Sequence, residues 1–161
     1  MVSNKLLDGQ RILIVDDESD VLETLGELLS MCQVVKATSF DEAKELLEAQ
    51  YFDVAILDIM GVDGYRLLEI ATNRNVIAVM LTAHALSVED TIKSFKEGAA
   101  SYVPKEEMSN ITTYLIDILE AKKRGESFWW RWLERLGPYY DKNFGQDWND
   151  RDKEFWERFP Y

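Results

Sequence analysis

The stretch Ile12-Leu13-Ile14-Val15-Asp16-Asp17-Glu18 decides the fold. Its four apolar residues form a run of the length and branching of a strand buried on both faces, and they lead without a break into three acids. The pattern recurs along the chain. Apolar runs at 34–37, 54–57 and 76–81, with a weaker one at 101–103, read as four further strands. Between them the apolar residues take helical spacing: Val21, Leu22, Leu25, Leu28 and Leu29 after Ser19, then Ala43, Leu46 and Leu47 after Ser39. Ser39 and Glu42 have the spacing of a capping box. A third helix starts near Gly64 with Leu67, Leu68 and Ile70, and a fourth follows Ser87 with Ile92 and Phe95. The fifth covers about 109–123, with Ile111, Leu115, Ile118 and Leu119 on one face.

Strands alternating with helices at this spacing predict an α/β protein: a doubly wound, five-stranded parallel sheet with five helices and right-handed crossovers. In such sheets ligands bind beyond the carboxyl ends of the strands, where the strand order reverses. Asp16 and Asp17 follow the first strand, Asp58 ends the third, Thr82 ends the fourth and Lys105 follows the fifth, so all five lie on one edge. Each alone reads as a cap, a turn or ordinary surface; their joint placement points to chemistry. Clustered carboxylates repel one another, and a hard divalent cation, typically Mg2+, relieves that repulsion. One carboxylate then becomes a nucleophile towards phosphorus, while Thr82 and Lys105 are placed to engage phosphoryl oxygens.

On these residues the chain resembles, over about 9–123, the receiver domain of response regulators of bacterial two-component systems, a flavodoxin-like, CheY-like fold. The matching segments are 12–18, Val54-Ala55-Ile56-Leu57-Asp58, Leu81-Thr82-Ala83 and Gly98-Ala99-Ala100-Ser101-Tyr102-Val103-Pro104-Lys105. The resemblance implies that Asp58 accepts phosphate from a sensor histidine kinase or a histidine phosphotransfer protein. It implies Asp16, Asp17, Asp58 and the backbone carbonyl of Met60 as Mg2+ ligands, and Thr82 with Tyr102 as switch residues. Two features depart from the family: the loop Asp58-Ile59-Met60-Gly61-Val62-Asp63-Gly64 is two residues short and lacks a proline, and Glu106 rather than proline follows Lys105. His84 stands near the expected pocket, as a surface residue or as one that tunes hydrolysis.

The formal net charge of -12 argues against nucleic acid as a partner. Acidity is confined to the first part: residues 1–120 carry 9 Lys or Arg and 22 Asp or Glu, residues 121–161 carry 9 and 8. No apolar run reaches membrane length and the first ten residues lack a signal segment, so a cytoplasmic protein without a membrane span is expected. The single cysteine, Cys32, agrees with a reducing compartment and reads as a core residue. All 5 Trp (129, 130, 132, 148, 156) lie beyond Gly125, which sets a division into a receiver domain, 1–124, and a Trp-rich helical extension, 125–161.

Within the extension one helix is expected over 128–136, stopped by Gly137-Pro138, and a second over 150–159. Trp129, Trp132, Leu133 and Leu136 share a stripe, with Trp130 on another side. Together with Trp148 and Trp156 they form the candidate output surface. It is buried by folding back on the receiver, by a homodimer or partner protein, or by a membrane interface. Arg131, Arg135 and Arg158 are placed to pair with the acidic receiver. Phosphorylation is expected to alter the face of the fourth and fifth helices and with it the packing of the tail. The leading expectation is a phosphoacceptor rather than a turnover enzyme, switching protein contacts. A phosphorelay intermediate, an unphosphorylated scaffold and a metal hydrolase are the alternatives.

Overall fold

The computed structural model describes residues 3–82, 87–145, 147 and 148. His84, Trp156, the expected helix over 150–159 and the side chains of Trp129 and Trp130 fall outside that description.

Strands β1 (Arg11–Val15), β2 (Gln33–Ala37), β3 (Val54–Asp58), β4 (Ile77–Thr82) and β5 (Ser101–Pro104) pair in parallel in the order β2-β1-β3-β4-β5. Between and after them run α1 (Ser19–Leu28), α2 (Phe40–Ala49), α3 (Gly64–Asn73), α4 (Val88–Lys96), α5 (Ile111–Arg124) and α6 (Phe128–Phe144). The expected five-stranded parallel sheet is therefore present, with its reversal of order between β1 and β3. Helix α1 packs with α5 and α2 with α3, so that β3 is buried along its whole length.

Local chemistry sets several helix starts. The Ser39 hydroxyl accepts from the Glu42 N–H at 3.2 Å, and Glu42 reaches back to the Thr38 N–H at 2.8 Å, one residue before the reciprocal bond of a standard capping box. Ser87 caps α4 in the same way, accepting from the Asp90 N–H at 3.0 Å. Ser19, by contrast, is already inside α1, with Glu18 at the cap position. Cys32 is half-buried and donates to the Leu7 carbonyl at 3.2 Å; burial pushes its thiol up to about 11, which suits a packing residue rather than a reactive one.

The two edges of the sheet differ. On β2 Gln33 and Lys36 are exposed, whereas β5 is buried throughout. The reason lies past α5. Gly125 takes a left-handed conformation (φ 69°), and the Glu126 N–H returns to the Ala121 carbonyl at 2.8 Å, a Schellman turn that reverses the chain. Helix α6 then runs back against α5 and β5.

The expected stop at Gly137-Pro138 is overturned, because α6 continues through Pro138 to Phe144. A proline inside a helix costs about 3 kcal/mol or more, since it removes one backbone hydrogen bond and crowds the preceding turn. Burial of Tyr140, against which the Phe144 and Trp148 rings tilt at 5.3 and 4.8 Å, offsets this by about 1.5–3 kcal/mol for each large apolar side chain removed from water.

Candidate functional site

Strand register builds the site. Val15 lies opposite Leu57, Asp58 opposite Leu81, and Thr82 opposite Pro104, so Asp16, Asp58, Thr82 and Lys105 line one edge of four adjacent strands. Asp16, Asp58 and Thr82 are buried, while Asp17 and Glu18 are exposed at the rim. The Lys105 ammonium gathers the acids: it stands 2.8 Å from Asp16, 2.9 Å from Glu18 and 3.4 Å from Asp58.

One lysine does not neutralise this pocket. Burial, and then the neighbouring charge of Asp16, push the Asp58 carboxyl up to about 6, against the opposing pull of Lys105. Burial works against charge on Lys105, but its hydrogen bonds to Asp16 and Glu18 outweigh it and hold the ammonium well above the ordinary lysine range. Asp16 accepts the Glu18 N–H through Oδ1 at 2.9 Å. Its buried Oδ2 faces the Lys105 ammonium at 2.8 Å. Carboxylate oxygens of Asp16, Asp17 and Glu18 lie within 4.8 Å of one another. An all-oxygen donor set whose carboxylates outnumber the one lysine beside them fits a hard divalent cation such as Mg2+.

The shortened loop after Asp58 follows a path that glycine makes available. The Val62 N–H bonds the Met60 carbonyl at 2.8 Å across Gly61 (φ 75°), closing a three-residue γ-turn. A Cβ on Gly61 would stand 2.5 Å from the Asp17 carboxylate, so the loop backbone lies directly against that acid. A Cβ on Gly64 would collide with the Asp58 carbonyl, and Asp63 between them is left-handed (φ 55°). The Met60 carbonyl, expected as a ligand, thus spends one lone pair within the loop, and the residue is 72% exposed.

Tyr102, the expected switch residue, is fully buried in β5. Burial raises its phenol well above the usual range, eased by the Thr82 side chain and the Ser87 backbone, which lie at its hydroxyl end. The hydroxyl nevertheless has no partner at full hydrogen-bond geometry among the described residues. At its other end, the Tyr102 backbone carbonyl accepts the indole N–H of Trp132 at 3.0 Å.

The tail residues divide accordingly. Trp132, Leu136 and Trp148 are buried and Leu133 is partly so. Trp132 packs edge-on against Phe95 of α4 at 5.1 Å. Trp148 donates to Asp141 at 2.9 Å. Arg135 pairs with Asp117 of α5 at 2.8 Å and Arg131 with the same carboxylate at 3.4 Å, as the arginines' charge suggested. Folding back on its own chain is thus the burial mode that the structure displays.

Three features escaped sequence reasoning. Glu18 as a partner of Lys105 was hidden because a third acid in a row looks like solvated surface. Asp117 was not singled out, although an acid between Leu115 and Ile118 on an otherwise apolar helix face was a usable signal. The bond between Tyr140 and Thr91, 2.5 Å long across 49 residues, left no local trace.

Comparisons with known proteins agree with this geometry. Residues 12–116 match the family described as response regulator receiver domain. A protein named "Probable transcriptional regulator ycf27" from Guillardia theta is 39% identical over 115 residues, covering 65% of this chain and 45% of its own length. "Two-component response regulator ARR18" of Arabidopsis thaliana is 33% identical over 118 residues, covering 67% of this chain and 18% of its own. The chain thus spans less than half the length of these relatives, which are not confined to bacteria. Among solved structures, the "BeF3 Activated DrrB Receiver Domain" is 26% identical with a TM-score of 0.61, covering 70% of this chain and 98% of its own. Among the described residues no helix is long and apolar enough to cross a membrane.

Proposed function

As this chain belongs to the response regulator receiver domain family of two-component systems, we propose that Asp58 is its phosphoacceptor and that phosphorylation switches its protein contacts. The observation that carries the reading is a buried carboxyl at the end of β3, raised to about 6 yet held 3.4 Å from a lysine ammonium. Above neutral pH it is chiefly ionised and able to attack.

In the reaction an Asp58 oxygen forms a bond to phosphorus while the bond from phosphorus to a donor nitrogen breaks, the electron pair leaving with the imidazole of a histidine on a sensor kinase or phosphotransfer protein. Lys105 pairs with one phosphoryl oxygen and the Thr82 hydroxyl donates to another. Asp16, Asp17 and Asp58, with the remaining lone pair of the Met60 carbonyl, would hold Mg2+; Glu18 is a further oxygen within reach. When bound, the cation supplies neutralisation of charge on the phosphoryl oxygens. Gly61, having no Cβ, lets the loop backbone lie directly against the Asp17 carboxylate. The receiver comprises 1–124, the extension 125–161 is its output element, and the protein acts in the cytoplasm as a phosphoacceptor rather than a turnover enzyme.

Intact mass after incubation with Mg2+ and acetyl phosphate tests this. A gain of one phosphate, absent in Asp58→Asn, is the expected result; no gain would sink the reading, and turnover beyond one equivalent would favour a hydrolase.

A further inference from the structure

Two lines of contact lead to α6 from the hydroxyl end of Tyr102, where the Thr82 side chain and the Ser87 backbone meet. The first runs through Tyr102, whose hydroxyl end lies beside Thr82 and whose backbone carbonyl holds the Trp132 indole. The second runs through Ser87, the cap of α4: its carbonyl accepts the Thr91 hydroxyl at 2.7 Å, and that hydroxyl meets Tyr140. Thr91 gives its one proton to Ser87, so Tyr140 is the donor in the second bond. A third anchor, Arg131 and Arg135 on Asp117, ties α6 to α5.

Helix α6 is therefore held by directional bonds to three separate elements, and such a set is satisfied by one arrangement of α4, β5 and α5 only. Resting on the reading of Asp58 as phosphoacceptor, we propose that α6 is a gated cover. It is docked on the α4, β5 and α5 face while Asp58 is unmodified and released when Asp58 is phosphorylated, baring that face and the stripe of Trp132, Leu136 and Tyr140 for protein contacts. A phosphoryl oxygen that draws the Thr82 hydroxyl removes the neighbour of the Tyr102 hydroxyl, a buried group already without a full partner, and Tyr102 resettles. Its carbonyl moves with it, and the hydrogen bond from Trp132 is the first to break. Linkage makes the effect reciprocal: whatever loosens α6 favours loading of the pocket by the same factor.

Hydrogen exchange of the full chain, read on peptides covering 128–144, tests the proposal with Mg2+ and beryllium fluoride as a stable phosphoryl mimic. Loading should speed exchange there about tenfold, within the ordinary range of allosteric coupling. Arg135→Glu reverses the charge facing Asp117 without touching the pocket. It should speed exchange before loading and tighten beryllofluoride binding, followed by fluorine NMR, by a similar factor. Tyr140→Phe should act in the same direction more weakly. Loading with unchanged α6 exchange, or a loosened α6 with unchanged beryllofluoride affinity, would overturn the coupling and leave the phosphoacceptor reading standing. Failure of the pocket to take up the mimic would overturn both.

Discussion

The acidic pocket and the α6 interface are built from the same materials, buried polar groups brought together from distant parts of the chain, yet they end in opposite states. At the interface Asp117 faces two guanidinium groups, and the Trp132 indole and Tyr140 hydroxyl are each hydrogen-bonded. At the pocket a single lysine serves Asp16, Glu18 and Asp58, and the Asp58 carboxyl is pushed up to about 6. One region is settled and the other is held in conflict. Charge left unresolved in one place, while it is resolved in another, supports the proposal that the first is where the phosphoryl group and its cation bind.

Breaking the settled region should have the largest effect. Trp132→Ala removes a buried aromatic and a hydrogen bond to β5, and is expected to cost about 3–5 kcal/mol, the range for truncating large core side chains. Urea unfolding monitored by far-ultraviolet circular dichroism measures it. A loss under about 1 kcal/mol would mean that α6 is only loosely docked.

Changing the conflicted region should have the opposite sign. Because the folded-state carboxyl of Asp58 is raised from 3.8 to about 6, folding favours its protonated form. That contribution is fully present below about pH 4 and is lost as pH rises through about 6. Asp58→Asn should therefore match the parent chain near pH 4 and exceed its stability by about 1–2 kcal/mol at pH 7.5, a two-unit shift being worth under about 3 kcal/mol before solvent screening. Thermal midpoints across that range decide the matter, and a variant less stable at pH 7.5 would contradict the conflict.

Mg2+ sharpens the contrast. Added at pH 7.5, it should raise the midpoint of the parent chain and raise it less in Asp58→Asn, with the difference fading as pH falls below about 6 and the carboxyl takes up its proton. Equal stabilisation of both chains would place the cation away from Asp58. The smallest effect belongs to Tyr140→Phe, which removes one buried hydrogen bond while Thr91 keeps its bond to Ser87. About 1 kcal/mol is expected, measured by the same unfolding experiment.

Much of this was legible beforehand because it is local. A strand's apolar run and the acid that ends it are neighbours in the chain, so Asp16, Asp17, Asp58, Thr82 and Lys105 could be assigned to one edge once the strands were read, and parallel register did the rest. Ser39 and Ser87 were readable for the same reason, since a cap acts on residues three positions away. Pro138 was misjudged because its penalty is local while its compensation, the burial of Tyr140 against α4, is not.

By itself, then, the sequence determined the order of elements, the parallel sheet and the edge on which the chemistry stands, because strand and helix periodicity and the residues that punctuate them act over a few positions. Only the tertiary structure decided that Lys105 reaches three acids at once, that Gly61 presses the loop against Asp17, and that α6 closes over β5 rather than standing free. Those outcomes depend on distances between residues far apart in the chain, set by packing and register, and no spacing along the sequence encodes them.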